Sequence, residues 1–450
     1  MATSDRTTAR TEGVERAASA IEERAEPLDE EAVSRLADEV EDAAFVLLGE
    51  ASHGTSEYYR WRARLTAELV ERGEASFVAV EGDWTDCYEV NRYVRGAKRR
   101  ETRARSDDSR TGQRDASRAT DVLAEFDRWP TWMWANWEVA AFVDRLRGYN
   151  EGRSHDEQVG FYGLDVYSLF ESMEAVVEFL EEYDPEAAER ARDAYKCFEP
   201  YGEDAREYGR STRLAPDDCE DEVVEILADL ASDGSEYDDT EARFSAEQNA
   251  LVAKNAEEYY RSMVKGSAES WNVRDDHMMA TLDRLADHHG GTAVVWAHNT
   301  HVGDARATDM RDRGKHNLGQ LARENHPGDC HLVGFGTHRG EVIAGEAWDA
   351  EMEEMRVPPA REGSVGDAFH RATGDDCLLA DTDAPALRER RGHRAIGVVY
   401  DPHREAYNYV PTNLAERYDS FVHVEDSTAL HPLGVDADST RPPESYPWGV

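Results

Sequence analysis

A carboxylate and an imidazole stand three residues apart in a turn that is flanked by glycines. Residues 49–54 read Gly-Glu-Ala-Ser-His-Gly and directly follow the apolar run 45–48, so a strand delivers Glu50 and His53 into a turn ahead of a helix. The glycines let the backbone bend tightly and let a ligand approach. Taken alone, such a turn fits a structural role as well as a catalytic one.

A second apolar run, residues 77–80, ends in Glu81, and Asp83 follows two positions later. We expect neighbouring strands to bring Glu81 close to His53. A carboxylate beside an imidazole fixes the tautomer of the ring and raises its basicity, which a general base for water activation requires. Asp83 offers the same chemistry or, as we favour, simply starts a turn.

Two further strand ends carry polar groups. Asp165 ends a third apolar run, where it binds substrate hydroxyls or, as we favour, caps a helix that starts near Ser168. His298 and His301 follow the run 293–296, and two imidazoles at one strand end can polarise a carbonyl, donate a proton or bind a divalent metal. One histidine would be interpreted as a hydrogen-bonded core residue, whereas the pair favours a functional site.

Two arginines are candidates for fixed positive charge at such a site. Arg62 lies on the helix that follows the first turn, and Arg274 lies in the sequence Trp-Asn-Val-Arg-Asp. A guanidinium group can stabilise an oxyanion or pair with Glu81. On an acidic protein, however, most arginines are surface ion-pair partners, so both interpretations stay open for each residue.

Short apolar runs bounded by glycine or aspartate predict the strands that position these groups. They are β-branched or aromatic and too short for buried helices, which is typical of strands covered on both faces. Residues 56–72 show helical spacing between the first two runs, so we expect a parallel pair with its functional loop at the carboxyl end. The predicted fold class is α/β, a three-layer α/β/α core with a mainly parallel sheet. The runs are residues 44–48, 77–80, 159–162, 292–296, 331–335 and 395–399.

The remaining segments surround one predicted domain, residues 31–430. Residues 168–289 show long helical stretches without strand signals and predict a helical lid or subdomain. Residues 97–119 contain almost no large apolar residue and predict an exposed insertion. Residues 1–30 predict a flexible or helical N-terminal segment, and residues 431–450 predict a C-terminal tail.

The charge of the chain excludes several classes of partner. The formal net charge is -44, and 95 acidic residues stand against 51 lysines and arginines. Nucleic acid and anionic membrane surfaces would repel such a protein. Acidic residues spread along the whole chain, with few lysines, are typical of proteins from salt-loving organisms, where salt screens the repulsion between carboxylates.

Cysteine usage and the N-terminal residues predict a cytoplasmic protein. The five cysteines lie far apart, and an odd count without a Cys-x-x-Cys pair favours reduced, mostly buried thiols over a disulfide framework or a zinc knot. Residues 1–31 contain no apolar core segment of the kind found in a signal peptide or a membrane anchor.

Several motifs in one order resemble the erythromycin esterase family. The resemblance rests on Gly-Glu-x-x-His-Gly at residues 49–54, on Val-Glu-Gly at 80–82, and on Trp-Ala-His-Asn-x-His-Val at 296–302. Gly-Leu-Asp at 163–165 and Arg-Asp at 274–275 fit the family as well. The match runs from roughly residue 45 to residue 400 and is far more specific than any one motif.

The resemblance implies an α/β/α core with a helical portion over a deep cleft, in which water opens an ester bond. In the namesakes of the family that bond is the lactone of a macrolide antibiotic. The family's general base corresponds to His53, and the matching acidic and cationic positions are Glu50, Arg62, Glu81, His298 and His301. The predicted substrate-binding residues are Asp165, Arg274, Trp84 and Asn299.

Three functions compete for this site. The first is a hydrolase without metal or other cofactor, in which His53 takes a proton from water, Glu50 or Glu81 orients His53, and His298, His301 and Arg62 stabilise the oxyanion or protonate the leaving alcohol. The second is a metallohydrolase, in which a divalent ion is bound by His53, Glu81, His298 and His301. The third is a non-enzymatic protein that binds haem or another small molecule.

Other reaction classes are disfavoured by absent motifs. No Gly-x-Ser-x-Gly elbow occurs, although Ser52 precedes His53, so water is a better candidate than serine for the attacking group. No phosphate loop and no dinucleotide fingerprint is found, which argues against nucleotide cofactors. The predicted partner is a small ester or lactone, and the oligomeric state stays undetermined.

Overall fold

The computed structural model describes residues 2–97, 118–201, 204–212, 219–221, 223–224, 226, 240–263 and 268–434. Most of the predicted insertion at residues 97–119 and of the predicted tail at residues 431–450 lies outside the described residues. Elements are numbered below over the described part of the chain.

One mixed sheet forms the centre of the fold. Its strands are arranged in the order β1-β8-β11-β6-β2-β5-β3-β4, and β7 pairs with the far end of β6. All neighbours from β11 to β4 are parallel, whereas β1, β7 and β8 pair antiparallel at one side. The predicted α/β class with a mostly parallel sheet is therefore confirmed. The strands are β1 (Glu26–Pro27), β2 (Phe45–Leu48), β3 (Ala75–Asp83), β4 (Gly160–Asp165), β5 (Thr292–Trp296), β6 (Cys330–Gly345), β7 (Met352–Val357), β8 (Cys377–Leu379), β9 (Arg391–Arg394), β10 (Tyr409–Thr412) and β11 (Ser420–Ser427), of which β9 and β10 form a separate hairpin.

Helices cover both faces of this sheet. Alternate residues of a strand face opposite sides, so β2 sends Val46 and Leu48 into one core and Phe45 and Leu47 into another. The first core is closed by α2, α3 and α6, and the second by α1, α11, α13 and α14. The α-helices are α1 (Ala2–Glu22), α2 (Glu30–Glu39), α3 (Ser56–Arg72), α4 (Trp84–Val94), α5 (Ala119–Leu123), α6 (Trp137–Asn150), α7 (Leu169–Tyr183), α8 (Pro185–Tyr195), α9 (Ala205–Thr212), α10 (Thr240–Met263), α11 (Ala268–His289), α12 (Asn299–Val302), α13 (Leu318–Asn325), α14 (Val365–Ala372) and α15 (Leu414–Arg417).

Short 3-10 helices connect several of these elements. They span Thr131–Met133, His155–Glu157, Lys196–Tyr201, Ala305–Ala307, Arg311–Arg313, Pro385–Leu387 and Pro402–Tyr407.

The predicted strand at residues 395–399 does not form in the sheet. Ile396 and Val399 make isolated bridges to Ser52 and Gly345, and the side chain of Ile396 packs in a small core with Met355 beneath the β6–β7 hairpin. Residues 395–399 are apolar because of this local packing, and not because they form a strand of the sheet. Conversely, β11 pairs with the centre of the sheet although its sequence contains histidine and acidic residues.

The helical portion after β4 has its own cores. Helices α7 to α10 pack around clusters that include Phe179, Ala250 and Tyr260. A disulfide joins Cys197 and Cys219 within this portion. The prediction of reduced cysteines is therefore wrong for this pair, because the helices bring two distant thiols to a Cα separation of 5.9 Å, within the usual range for a disulfide. Cys87, Cys330 and Cys377 are free.

The N-terminal helix belongs to the packed fold. Val14, Ala17 and Ile21 of α1 are buried, and β1 pairs with β8. Among the described residues, none of the helices combines the length and the apolar character needed to cross a bilayer.

Candidate active site

Most of the predicted site residues lie at, or directly after, the carboxyl ends of four adjacent strands, whereas Arg62 and Arg274 lie on α3 and α11. In the sheet these strands lie in the order β2, β5, β3 and β4. The expectation that the β2 and β3 strands are neighbours is wrong, because β5 lies between them and pairs with both. The loop after β5 therefore places His298 beside His53, with a distance of 4.9 Å between the ring centroids.

The turn after β2 is held by close packing on both sides. A side chain at Gly49 would collide with Asn299, and one at Gly54 would collide with the backbone of Ile343. These two positions thus require glycine for steric reasons. Thr55 then takes the N-cap position of α3.

Glu50 joins His53 to a buried arginine. Its Oε1 lies 2.8 Å from Nδ1 of His53, and its Oε2 lies 2.6 Å from Nη2 of Arg62. The guanidinium group of Arg62 is fully buried, 4.4 Å from the ring centroid of Tyr59 and 5.1 Å from that of Trp296. Arg62 cannot reach a substrate from this position, so its predicted oxyanion role is replaced by that of a positioning residue for Glu50.

The contact with Glu50 defines the tautomer of His53. A carboxylate only accepts hydrogen bonds, so Nδ1 carries the proton and Nε2 keeps a lone pair. Burial by itself lowers the pKa of His53, but the hydrogen bond to Glu50 and the charge of Glu81 outweigh it and leave the pKa above its ordinary value. His53 thus has the features of a general base.

His298 has the opposite tautomer. It occupies the N-cap of α12, and its Nδ1 accepts the backbone N–H of Thr300 at 3.3 Å. The proton is therefore on Nε2, which is buried and has no hydrogen-bond partner among the described residues. Burial, followed by the charge of His53, lowers the pKa of His298 well below its ordinary value, so the ring is a neutral donor.

Glu81 connects the strand ends. Its Oε2 accepts the backbone N–H of His298 at 2.7 Å, and its Oε1 accepts Nη2 of Arg274 at 2.8 Å. Burial raises the pKa of this carboxyl group, but His301 and Arg274 outweigh that effect and hold it below its ordinary value. Glu81 therefore positions the His298 loop as an ionised carboxylate.

Arg274 of α11 holds Asp165 as well. Its Nε and Nη2 donate to the two carboxylate oxygens of Asp165 at 2.8 and 2.6 Å. Asp165 therefore forms a two-point ion pair instead of the predicted helix cap or a free substrate ligand. Ser168 takes the N-cap position of α7.

Both ring nitrogens of His301 are already bonded. Nδ1 donates to Oδ1 of Asp275 at 2.9 Å, and Nε2 accepts Nη1 of Arg274 at 3.0 Å. Trp271 stacks on the ring, with a centroid distance of 4.7 Å and an interplanar angle of 5°. His301 is thus placed to hold Arg274, and it has no free nitrogen for a haem iron or for proton transfer.

Two predicted substrate-binding residues belong to the interior. Trp84 is fully buried and stacks on Tyr162 at 5.5 Å, so it is a core residue. Asn299 is buried as well, and its side-chain amide donates to the carbonyl of Phe335 and accepts its N–H, which ties the β5 loop to β6. The assignment of both residues to substrate contact is corrected accordingly.

Asp83 does not start a turn as favoured from the sequence: it ends β3 and takes the N-cap position of α4, and its side chain does not cap the helix. It pairs with Nε of Arg128 at 2.6 Å instead. Burial raises the pKa of Asp83 to about 6, although Arg128 acts in the other direction.

The arrangement fits a metal ion poorly. Among the described residues, two groups of three side chains bring their ligand atoms within 4.8 Å of one another, and neither includes His53, Glu81, His298 or His301. The guanidinium group of Arg274 contacts both Glu81 and His301 and thus takes the place of a cation between them.

The sequence did not identify Asp275, Trp271 or Thr300 as site residues. Asp275 and Trp271 lie on α11, and the only signal was the Arg-Asp pair that contributed to the family resemblance. A residue that only orients other side chains leaves no recognisable pattern of composition or spacing in the sequence.

Comparisons with known proteins bear on the family and on the fold of this chain. Residues 70–427 match the family model described as erythromycin esterase. A structure described as a succinoglycan biosynthesis protein is 18% identical with a TM-score of 0.74, covering 92% of this chain and 98% of that one. A Bacillus cereus protein is 19% identical with a TM-score of 0.76, covering 93% and 99%. A histidine-to-asparagine mutant of the erythromycin esterase EreC, in its open conformation, is 18% identical with a TM-score of 0.63, covering 88% and 93%.

Proposed function

Because the chain belongs to the erythromycin esterase family, we propose that it hydrolyses an ester or lactone, with His53 as the general base that activates water. The observation that carries this proposal is the pair of imidazoles with opposite tautomers, whose ring centroids lie 4.9 Å apart. His53 offers a lone pair and His298 offers an N–H. Two titratable groups whose environments move their pKa values apart are typical of an acid and base pair.

In the first step, Nε2 of His53 takes a proton from water while the water oxygen bonds to the carbonyl carbon. The electron pair of the carbonyl bond moves onto its oxygen, and the Nε2–H of His298 donates a hydrogen bond to that oxyanion. Preorganised donors of this kind contribute roughly 3 kcal/mol each to the stability of the transition state.

In the second step, the carbonyl bond re-forms and the bond from carbon to the ester oxygen breaks. Protonated His53 returns its proton to the leaving alkoxide, so the products are an acid and an alcohol, or one hydroxy acid from a lactone. The base is thereby regenerated without a covalent intermediate on the enzyme.

The remaining site residues position this pair. Glu50 with Arg62 fixes His53, and Glu81 with Arg274 fixes the backbone of the His298 loop. The carboxylate of Glu50 also stabilises the imidazolium that forms when His53 takes the proton.

The metal-dependent alternative is disfavoured by Arg274, whose positive charge occupies the space between Glu81 and His301. A haem-binding role is disfavoured because both nitrogens of His301 are bonded. We infer that the enzyme works at high ionic strength, since a net charge of -44 needs salt to screen its repulsion.

The proposal is tested by a substrate screen. Simple esters, lactones and macrolides are incubated with the enzyme in concentrated salt, with and without a chelator, while circular dichroism monitors the fold. We expect turnover of at least one substrate at an equal rate in both conditions. Absence of turnover for every ester, or loss with the chelator and recovery with added metal while the fold persists, would contradict the mechanism.

A further inference from the structure

A second histidine and carboxylate cluster shares none of its residues with the candidate active site. His338 on β6, His370 on α14 and Glu425 on β11 each offer a ligand atom, and these atoms lie within 4.8 Å of one another. We propose that these three residues bind a divalent transition-metal ion, with zinc as the best match. Binding here is independent of ester hydrolysis.

The sheet places two of the ligands side by side. Strands β6 and β11 are parallel neighbours, with Thr337 opposite Val424 and Arg339 opposite Asp426. His338 and Glu425 lie between these pairs at the same level, so their side chains emerge on the same face of the sheet. Two ligands on paired core strands form a rigid base for an ion.

The third ligand comes from the helix that packs on this face. The ring of His370 stacks on the ring of His338, with a centroid distance of 3.9 Å and an interplanar angle of 12°. Its Nδ1 lies 2.6 Å from Oε1 of Glu425. Because three elements distant in the sequence meet here, the cluster is a product of the fold.

The bonding in the cluster is incomplete. His338 is buried, and its Nδ1 has no hydrogen-bond partner among the described residues. Because no described residue bonds to this nitrogen, it is available to a metal ion. The side chain of His370 is 41% exposed, which gives an ion access and leaves room for water in a remaining coordination position.

The donor set favours zinc over a hard cation. Two imidazole nitrogens and one carboxylate oxygen suit zinc and its transition-metal neighbours, whereas calcium and magnesium prefer oxygen ligands alone. The nearby cation Arg339 is paired with Asp426 at 2.6 Å. The carboxylate of Asp376, which accepts the N–H of Glu425 at 2.7 Å, adds negative charge beside the cluster.

A second group offers a matched control. Glu241, His288 and His289 also bring their ligand atoms within 4.8 Å of one another. There, however, Nη1 of Arg95 lies 3.7 Å from Oε2 of Glu241. A positive charge at that carboxylate disfavours a metal ion, so we expect no binding at this group.

The test measures zinc binding directly. Chelator-treated full-length protein is titrated with zinc alone by calorimetry, and the metal retained after desalting is counted by elemental analysis. We expect one zinc per chain in the wild type and in His288→Ala. We expect the affinity for zinc to fall at least about 10-fold in His338→Ala and in His370→Ala. Because the side chain of His370 is partly exposed, His370→Ala should disturb the fold less than His338→Ala.

Cobalt substitution gives a second readout, since its visible spectrum reports the coordination of the ion and does not depend on activity. We expect a cobalt spectrum in the wild type that disappears in His370→Ala. Failure of the wild type to retain zinc would overturn the proposal. So would unchanged affinity in both His338→Ala and His370→Ala, or loss of binding in His288→Ala alone.

Discussion

Nη2 of Arg62 lies 2.6 Å from Oε2 of Glu50, and the two residues are almost completely buried. Replacing Arg62 with Leu leaves Oε2 of the buried Glu50 carboxylate without its ion-pair partner. We therefore expect the free energy of unfolding to fall by about 3–5 kcal/mol in urea denaturation.

Arg35→Ala is the matched control for this variant. Arg35 pairs with Glu26 and Glu31, but its side chain is 43% exposed, so its removal should cost at most about 1 kcal/mol. Equal losses of unfolding free energy in the Arg62 and Arg35 variants would show that the buried pair does not stabilise the fold more than an exposed one.

Glu50 also determines the pH dependence of the reaction. Its hydrogen bond helps to raise the pKa of His53 above the ordinary value against the effect of burial. A general base acts in its unprotonated form, so the rate rises as pH increases through this pKa. In Glu50→Gln the pKa falls, and the acidic limb of the kcat/KM profile should move to lower pH while the plateau decreases.

The neighbouring carboxylate of Glu57 provides the control. It binds Thr428 and not His53, so Glu57→Gln should leave the acidic limb in place. A limb that stays fixed in Glu50→Gln, or that moves to higher pH, would argue against His53 as the titrating base.

Asp275 orients His301, which in turn holds Arg274 against Glu81. In Asp275→Asn the ring of His301 loses its carboxylate acceptor. An aspartate that directly orients a catalytic histidine contributes about 10⁴-fold. Asp275 acts on His298 through three further residues, so we expect kcat to fall by only roughly 10- to 100-fold, with little change in KM.

Asp276→Asn is the control for this variant, because Asp276 is the next residue, is 57% exposed and pairs with His316. It should retain wild-type kinetics. If kcat is unchanged in Asp275→Asn, or if the loss is entirely in KM, the positioning role of Asp275 is wrong.

Trp84 is a core residue in this account and not a substrate ligand. Trp84→Ala should lower the free energy of unfolding by about 3–5 kcal/mol, whereas Trp84→Phe should leave KM unchanged. The exposed Trp348, with 54% of its surface accessible, serves as the stability control. A large rise in KM for a well-folded Trp84→Phe variant would return Trp84 to the substrate site.

The sequence predicted the strand ends better than their order. Buried parallel strands read as continuous apolar runs, so the positions of β2, β3, β4 and β5, and of the polar groups at their ends, follow from the sequence alone. Which strands are neighbours depends on long-range pairing, and the insertion of β5 between β2 and β3 has no local signal.

The roles of individual side chains were the least predictable part of the site. Arg62, Trp84 and Asn299 occupy motif or near-motif positions, but their side chains point into the interior, where they hold other groups. Whether a side chain faces a cleft or a core is decided by the packing of distant elements. The contributions of Asp275 and Trp271 from α11 were missed for the same reason.

The proposed role of His53 as the general base is tested by comparing kcat/KM of His53→Asn and of Ser52→Ala with that of the wild type on one substrate. We predict that His53→Asn loses at least about 10²-fold with its fold intact, as expected when a general base is removed, and that Ser52→Ala retains activity. If kcat/KM of His53→Asn stays within a few-fold of the wild-type value, or if Ser52→Ala has no activity, the proposed mechanism is wrong.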